Sequence, residues 1–232
     1  MMAGSLKTGK LTTPFSGIPL WIGIFFCLMA TLLAPLCSAA TQADPKATID
    51  DLINKIRSIR YTEDSSTTLT SADLQKNEKL YDEITELIDI DGISRYALDS
   101  YWDRVGPSGR SQFESLFVEL LEKVAYPNTA KFFKDLEIEI RDIKVIGSKA
   151  MVYTSVYHEE EGRVDIDFRL ERSGDGWLIR DVYLDGVSLV RNLRTQCQKI
   201  IRENSFAELL RRMKEKAEEE TSADVSEITA KN

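Results

Sequence analysis

The sequence predicts an α+β domain in which a curved antiparallel meander of four strands is covered by N-terminal and C-terminal helices. Three observations support this prediction. Apolar residues recur every three or four positions before residue 136 and again after Gly186, which is the spacing of amphipathic helices. Between these regions the apolar period falls to two, as in half-buried strands. Short turn-like segments separate the strands, so consecutive strands are expected to pair as hairpins.

The start of the chain has the pattern of an export signal. Two lysines precede an apolar run over 18–36, and small residues then offer a peptidase site after Ala39 or Ala40. We therefore expect residues 1–40 to be a cleaved signal peptide. Two alternatives remain open, because the run is long enough to stay in the bilayer as an anchor and because Cys37 could carry a lipid.

A cleaved chain is strongly acidic. Loss of Lys7 and Lys10 lowers the Lys and Arg residues from 30 to 28 against 38 Asp and Glu residues, a net charge of −10. We expect no binding to nucleic acid and no general electrostatic adsorption to anionic lipid, so any lipid would be held by burial. Cys197 would be the remaining cysteine, which excludes an internal disulfide, and we interpret it as a small buried apolar residue.

The helices before the strands each place apolar residues on one face. They are predicted over 46–60, from Thr70 or Ser71 to about 88, over 91–99, from Ser108 or Ser111 to Val124, and as a short aromatic turn over 129–136. Tyr126-Pro127-Asn128 is predicted to end the fourth of these helices.

Four strands follow, and then the helical period returns. The strands are predicted over 137–146, 149–158, 163–172 and 176–184. Apolar residues over 187–201 and 206–213 then predict two helices. The mature domain is expected to span 41–216, and the charged segment 217–232 is expected to be a disordered tail.

Residues suited to catalysis or metal binding are sparse. The one histidine, His158, lies among exposed acidic residues, which is typical of a solvated turn and a poor metal site. Asp165 and Asp167 share one face of a strand and could act as an acid and base pair. Because they alternate with Arg163 and Arg169, we favour a solvated sheet face with cross-strand ion pairs. No catalytic and no metal-binding residue is predicted.

Two blocks of sequence carry a family resemblance. The first runs from Asp91 to Trp102 as DGISRYALDSYW and continues with Gln112-Phe113 and FVELL at 117–121. The second runs from Gly176 to Val190 as GWLIRDVYLDGVSLV and continues with Asn192, Arg194 and Ile200-Ile201. In this order they resemble the MlaC family, also called the toluene-tolerance family of periplasmic phospholipid-binding proteins. The resemblance covers about residues 47–216.

The resemblance implies an NTF2-like curved sheet and helices around a deep apolar pocket for acyl chains. It implies a periplasmic carrier that shuttles phospholipid between the outer and inner membranes and maintains outer-membrane lipid asymmetry. The implied partners are an inner-membrane ABC transporter with an MCE-domain protein and an outer-membrane lipoprotein complex. Phospholipid would be the cargo, with no cofactor and no enzymatic step.

The lipid pocket is predicted to be lined by inward residues of the sheet and of its covering helices. The candidate lipid-binding residues are Phe117, Leu121, Val124, Tyr126, Phe133, Val152, Val156, Ile166, Phe168 and Trp177. Two other hypotheses stay open. One is an NTF2-like enzyme that uses a carboxylate such as Asp167 as base on a small apolar substrate, and the other is a ligand-free interaction module for a transporter.

Overall fold

The computed structural model describes residues 44–62, 68–134, 136–158 and 162–229, with side chains as far as residue 219 but not that of His158. They belong to one unit, Gln42–Asn232. The signal peptide predicted over 1–40 lies outside the described residues. Within the described residues, no helix is both long enough and apolar enough to cross a membrane.

The N-terminal helices begin at residues suited to capping. Their bounds are Pro45–Ser58 for α1, Ser71–Thr85 for α2 and Ile90–Leu98 for α3, which a 3₁₀ turn at Asp99–Tyr101 follows. The Asp44 carboxylate accepts from the Lys46 N–H at 3.0 Å, and Thr70 and Asp73 form a capping box. These caps satisfy amide groups that a helix leaves unpaired at its first turn.

The next helix does not end at Tyr126-Pro127-Asn128, so that prediction was wrong. Helix α4, Gly106–Leu120, passes through a π-helical turn at Leu121–Ala125 into α5, Tyr126–Phe133. In this turn the Tyr126 N–H donates to the Leu121 carbonyl, five residues back. Pro127 has no N–H to donate, but the first turn of a helix tolerates proline, so the chain continues as a helix beyond it.

The sheet is an antiparallel meander in the order β1-β2-β3-β4-β5. Its strands are β1 Glu137–Ile146, β2 Lys149–His158, β3 Gly162–Ser173, β4 Gly176–Leu184 and β5 Val187–Ser188. The α+β prediction is confirmed, although the short β5 was not predicted. The pairing register shifts between Ile140 and Asp142 and between Arg169 and Leu170. Such bulges bend a sheet locally and increase its twist.

Two helices follow the sheet. Helix α6, Leu189–Glu203, is capped by Ser188, whose hydroxyl accepts from the Arg191 N–H at 2.9 Å. Helix α7 is Phe206–Thr229, so the backbone is helical well beyond residue 216. Disorder of the segment 217–232 in solution stays a prediction.

Buried side chains form two separate apolar clusters. The first, called the sheet cluster, joins one face of the sheet to α1, α2 and α5; its buried members are Ile49, Leu52, Ile56, Ile59, Ile84, Tyr126, Ala130, Phe133, Ala150, Val152, Val156, Val164, Ile166, Phe168, Leu170, Trp177 and Ile179. The second, called the helix cluster, joins α3, α4, α6 and α7; its buried members are Ala97, Leu98, Trp102, Phe113, Cys197, Ile201, Leu209 and Met213.

Candidate functional site

The sheet cluster is built from alternate residues of the strands. Val152 stands opposite Phe168, Phe168 stands opposite Val182, and Val156 stands opposite Val164. Residues directly opposite one another in antiparallel strands share a face. The period-two pattern of the sequence therefore becomes a continuous apolar face across β2, β3 and β4.

Around its buried members the sheet cluster has many apolar side chains that remain partly accessible. They come from every covering helix, from the segments beside them and from the sheet: Ile53, Tyr61, Leu80, Tyr81, Leu87, Ile88, Leu121, Phe132, Leu136, Ile138, Ile140, Ile143 and Val182. When an apolar ligand covers such surface, apolar area is removed from water and the free energy of the complex falls. The sheet cluster is therefore the candidate functional site.

The π-helical turn is where the long helical segment changes from one cluster to the other. Phe113 belongs to the helix cluster, whereas Tyr126, Ala130 and Phe133 belong to the sheet cluster. Between them, Leu121 begins the π turn and already packs against the sheet cluster. π-Helical turns occur frequently at functional sites.

Tyr126 adds a polar group to the sheet cluster. Its hydroxyl lies 2.9 Å from the Thr85 hydroxyl, and its ring centre lies 5.6 Å from that of Tyr81. Burial raises the pKa of Tyr126 to about 12, although the hydrogen bond with Thr85 acts in the opposite direction. The phenol is therefore neutral at physiological pH and does not place a charge among the apolar residues.

Most of the ten predicted site residues lie together. The sheet cluster buries Tyr126, Phe133, Val152, Val156, Ile166, Phe168 and Trp177, and Leu121 packs against it. Phe117 is instead partly buried against the helix cluster, where its ring stacks on Phe113 at 6.4 Å. Val124, in the π turn, is half-buried. Contact of any of these residues with a ligand stays a prediction.

Other residues of the sheet cluster were missing from the sequence prediction. They include Ile49, Leu52 and Ile56 of α1, which recur at helical spacing, and Ile84 of α2. Their spacing indicated a buried helix face but did not indicate which cluster that face would join. From β1, Ile138, Ile140 and Ile143 also pack here, and the bulge near Arg141 interrupts their strict alternation.

A separate groove of ≈ 480 Å³ lies between α4 and α7. Its lining residues are Ser111, Gln112, Ser115, Leu116, Ala207, Leu210, Arg211 and Lys214. None of the ten predicted site residues lines this groove.

The carboxylates considered as an acid and base pair lie on the other face of the sheet. Arg141 is 3.2 Å from Asp165 and 3.4 Å from Asp167, and Arg163 is 3.0 Å from Asp165. A hydrogen bond from Ser155 lowers the pKa of Asp165, whereas burial raises the pKa of Asp167. Ion pairs are present on this face as predicted, but Arg141 and Arg163 form them, whereas the Arg169 Nε is buried without a hydrogen-bond partner among the described residues. Alternation along β3 directs Asp167 away from the sheet cluster.

No metal site is formed by the described residues. Among them, no three His, Cys, Asp or Glu side chains are grouped so that they could hold an ion. The predicted burial of Cys197 is found in the helix cluster, where desolvation raises the pKa of its thiol to about 12. The side chain of His158 lies outside the described atoms.

Polar residues in or beside the two sequence blocks that carry the family resemblance form joints between helices and sheet. Asp181 of β4 is buried and accepts from the Ser188 hydroxyl at 2.7 Å and from the Val190 N–H at 3.1 Å, at the start of α6. Asp89 caps α3 through the Gly92 N–H at 2.9 Å and forms an ion pair with Arg180 of β4. These residues position helices on the sheet rather than line an apolar surface.

Comparison with known proteins identifies a matching family and a similar solved structure. The family model described as MlaC protein matches residues 46–215. A phospholipid-binding protein from Ralstonia solanacearum, solved in complex with a phospholipid, has a similar structure with a TM-score of 0.60 and 19% sequence identity. The match covers 76% of this chain and 96% of that chain. No curated protein sequence matches this chain.

Proposed function

Because the chain belongs to the MlaC family, whose model matches residues 46–215, we propose that it is a periplasmic carrier of phospholipid. In this role it shuttles phospholipid between the outer and inner membranes and so maintains the lipid asymmetry of the outer membrane. The signal-like segment over 1–40 supports export.

One observation carries this proposal. The sheet cluster combines a buried apolar face with a rim of partly accessible apolar side chains, supplied by α1, α2, α5 and the sheet. Each acyl methylene costs about 0.8 kcal/mol when it is exposed to water. Lipid chains covered by this surface would cross an aqueous compartment at a far lower free-energy cost than free chains.

Different residues of the sheet cluster would contact the acyl chains and fix the shape of the surface. The rings of Phe133, Phe168 and Trp177 provide large apolar contact areas, and the β-branched residues of β2 and β3 provide a stiff floor. Tyr126 is neutral and hydrogen-bonded to Thr85, so it meets a lipid chain mainly through its ring.

Transport of phospholipid requires no covalent bond to be broken. The carboxylates that an enzyme could use, Asp165 and Asp167, are paired with arginines on the opposite face of the sheet. Direction of transport would then come from the partners: an inner-membrane ABC transporter with an MCE-domain protein, and an outer-membrane lipoprotein complex.

The experiment that tests the proposal is native mass spectrometry of the chain from residue 41, purified from a bacterial periplasm without detergent, followed by lipid extraction. We expect one phospholipid-bound species in near-stoichiometric amount. A ligand-free mass, with no uptake of phospholipid from added liposomes, would contradict the carrier function and favour a ligand-free interaction module.

A further inference from the structure

The turn between β1 and β2 exposes two apolar side chains at its tip. Ile146 is 81% exposed and Val145 is 50% exposed. The turn is formed by Gly147 and Ser148, and Gly147 adopts a left-handed φ of +61°, which lets two residues reverse the chain. We call the segment 145–148 the hairpin tip.

Ile146 contributes little to the stability of the fold, because most of its surface faces solvent. It is the residue of β1 that pairs with Lys149, and Val145 pairs with Ala150. The two side chains therefore point to opposite faces of the hairpin and make both sides of the tip apolar. This exposed apolar surface is therefore confined to the end of the β1–β2 hairpin.

Basic side chains surround the tip although the chain as a whole is acidic. Lys144 and Lys149 flank it in sequence, and the Arg172 N–H donates to the Ser148 carbonyl at 2.8 Å, which places Arg172 beside the turn. Lys149 has no ion pair among the described residues. Glu171 stands opposite Lys149 in the strand register, but its carboxylate lies 3.3 Å from Arg180 Nε.

The acidic side chains near the hairpin tip do not neutralise its basic side chains. Lys144 lies 3.7 Å from Asp142, but both side chains are more than half exposed, so water screens their attraction. The guanidinium of Arg172 lies 4.4 Å from the Trp177 ring centre, a cation–π contact that does not neutralise its charge. The turn between β3 and β4 carries one acidic residue, the exposed Asp175.

A second pair of exposed apolar side chains differs from the hairpin tip in the charges beside it. Leu184 and Val187 pair across β4 and β5, and Val187 is 52% exposed. The turn beside them carries Asp185, whose carboxylate accepts from the Asp165 N–H at 3.0 Å. This site therefore combines apolar surface with acidic groups, whereas the hairpin tip combines it with basic groups.

We propose that the hairpin tip is a membrane-contact element that inserts Val145 and Ile146 into the interface of an anionic bilayer while Lys144, Lys149 and Arg172 contact lipid head groups. Apolar side chains inserted at the acyl boundary and basic side chains at the head groups are the two contributions that hold proteins on such surfaces. This inference does not depend on the chain being a lipid carrier, because the hairpin tip would contact a membrane whether or not the sheet cluster binds lipid.

The test is sedimentation of the chain from residue 41 with vesicles of phosphatidylethanolamine and phosphatidylglycerol at low salt. We expect I146S to lower the vesicle-bound fraction by about tenfold in partition coefficient, since an apolar side chain no longer enters the interface. K149E is expected to lower it by at least about fivefold, and added salt to weaken binding of the wild-type chain. V187S is the matched control and is expected to bind as the wild-type chain does.

A label at the tip gives a second measurement. The thiol of Cys197 is buried and its pKa is raised to about 12, so a dye reacts selectively with an exposed cysteine introduced by I146C. We expect the fluorescence of a polarity-sensitive dye there to rise several-fold on addition of the vesicles, and a dye at V187C to respond little.

Several results would overturn the proposal: no vesicle binding by the wild-type chain, equal binding by I146S, or an equal response at positions 146 and 187. A wild-type dimer in solution that I146S converts to a monomer would assign the tip to self-association instead. If the purified chain carries no lipid but still binds vesicles through the tip, the carrier function fails and this inference stands.

Discussion

The guanidinium of Arg180 lies in the space that any side chain on Gly92 would have to occupy. Arg180 forms an ion pair with Asp89, and the other carboxylate oxygen of Asp89 accepts from the Gly92 N–H at 2.9 Å. A single carboxylate thus caps α3 and binds a residue of β4. The glycine in the first sequence block is explained by this close approach, because only hydrogen leaves room for the arginine.

Gly92→Ala is expected to lower the free energy of unfolding by about 1–3 kcal/mol, since the new methyl group displaces a partly buried guanidinium from its carboxylate. Urea unfolding measures the change. Gly176→Ala is the control, because a Cβ there meets its nearest neighbour, the Ser173 carbonyl, at an ordinary 3.8 Å.

The cause of this loss is separable by a double-mutant cycle. In an Arg180→Ala background, Gly92→Ala is expected to cost far less, because Asp89 is free to turn away and alanine favours a helix more than glycine does. An equal cost in both backgrounds would show that the clash with Arg180 is not the reason for the loss.

Asp181 is expected to be the most sensitive residue of the second sequence block. Asp181→Ala leaves the Ser188 hydroxyl and the Val190 N–H without their buried acceptor, which should cost about 2–4 kcal/mol in thermal or urea unfolding. Asp181→Asn keeps one acceptor oxygen and should cost less. A similar loss for both variants would mean that the negative charge at the start of α6, and not the hydrogen bonds, provides the stability.

The strands could be predicted from the sequence because alternation of apolar and polar residues is a local signal. Residues 149–158 and 176–184 were predicted with the bounds that the structure has. The π-helical turn before Pro127 could not be predicted in this way, because proline usually ends a helix and no local pattern indicated hydrogen bonds spanning five residues before it. The division of apolar faces between two clusters is also tertiary, so Phe117 was grouped with residues that lie in the other cluster.

A matched pair of substitutions separates lipid binding from stability. Ile166 in the sheet cluster is 6% exposed and Ile201 in the helix cluster is 8% exposed. Glutamine at either position buries an amide without assured partners, so Ile166→Gln and Ile201→Gln should each cost about 2–4 kcal/mol. Only Ile166→Gln is expected to reduce the amount of phospholipid that copurifies, measured by native mass spectrometry below the unfolding temperature.

The experiment is decided by the difference in bound phospholipid between Ile166→Gln and Ile201→Gln. Equal loss of lipid in both would indicate that general destabilisation releases the ligand. Loss confined to Ile201→Gln would place the lipid against the helix cluster and contradict the proposed site.

Tyr126 is expected to make stability fall at alkaline pH. Its pKa is about 12 in the folded chain, against an ordinary value of 10.0 that applies when the chain is unfolded. Below pH 10 both states hold the phenol proton, and the full contribution of Tyr126 is present. As the pH rises from about 10 to about 12, the unfolded state loses a proton that the folded state keeps, so the free energy of unfolding falls by roughly 2–3 kcal/mol.

Tyr126→Phe tests this assignment because it removes the titrating group and keeps the ring. At pH 7 it should cost about 1 kcal/mol through loss of the hydrogen bond with Thr85, but it should make the decline between pH 10 and pH 12 shallower and leave the part that the buried Cys197 thiol contributes. Thr85→Val removes the same hydrogen bond and leaves the phenol, so its decline should persist. Denaturant unfolding across this pH range measures all three chains, and an unchanged slope in Tyr126→Phe would assign the alkaline loss to other groups.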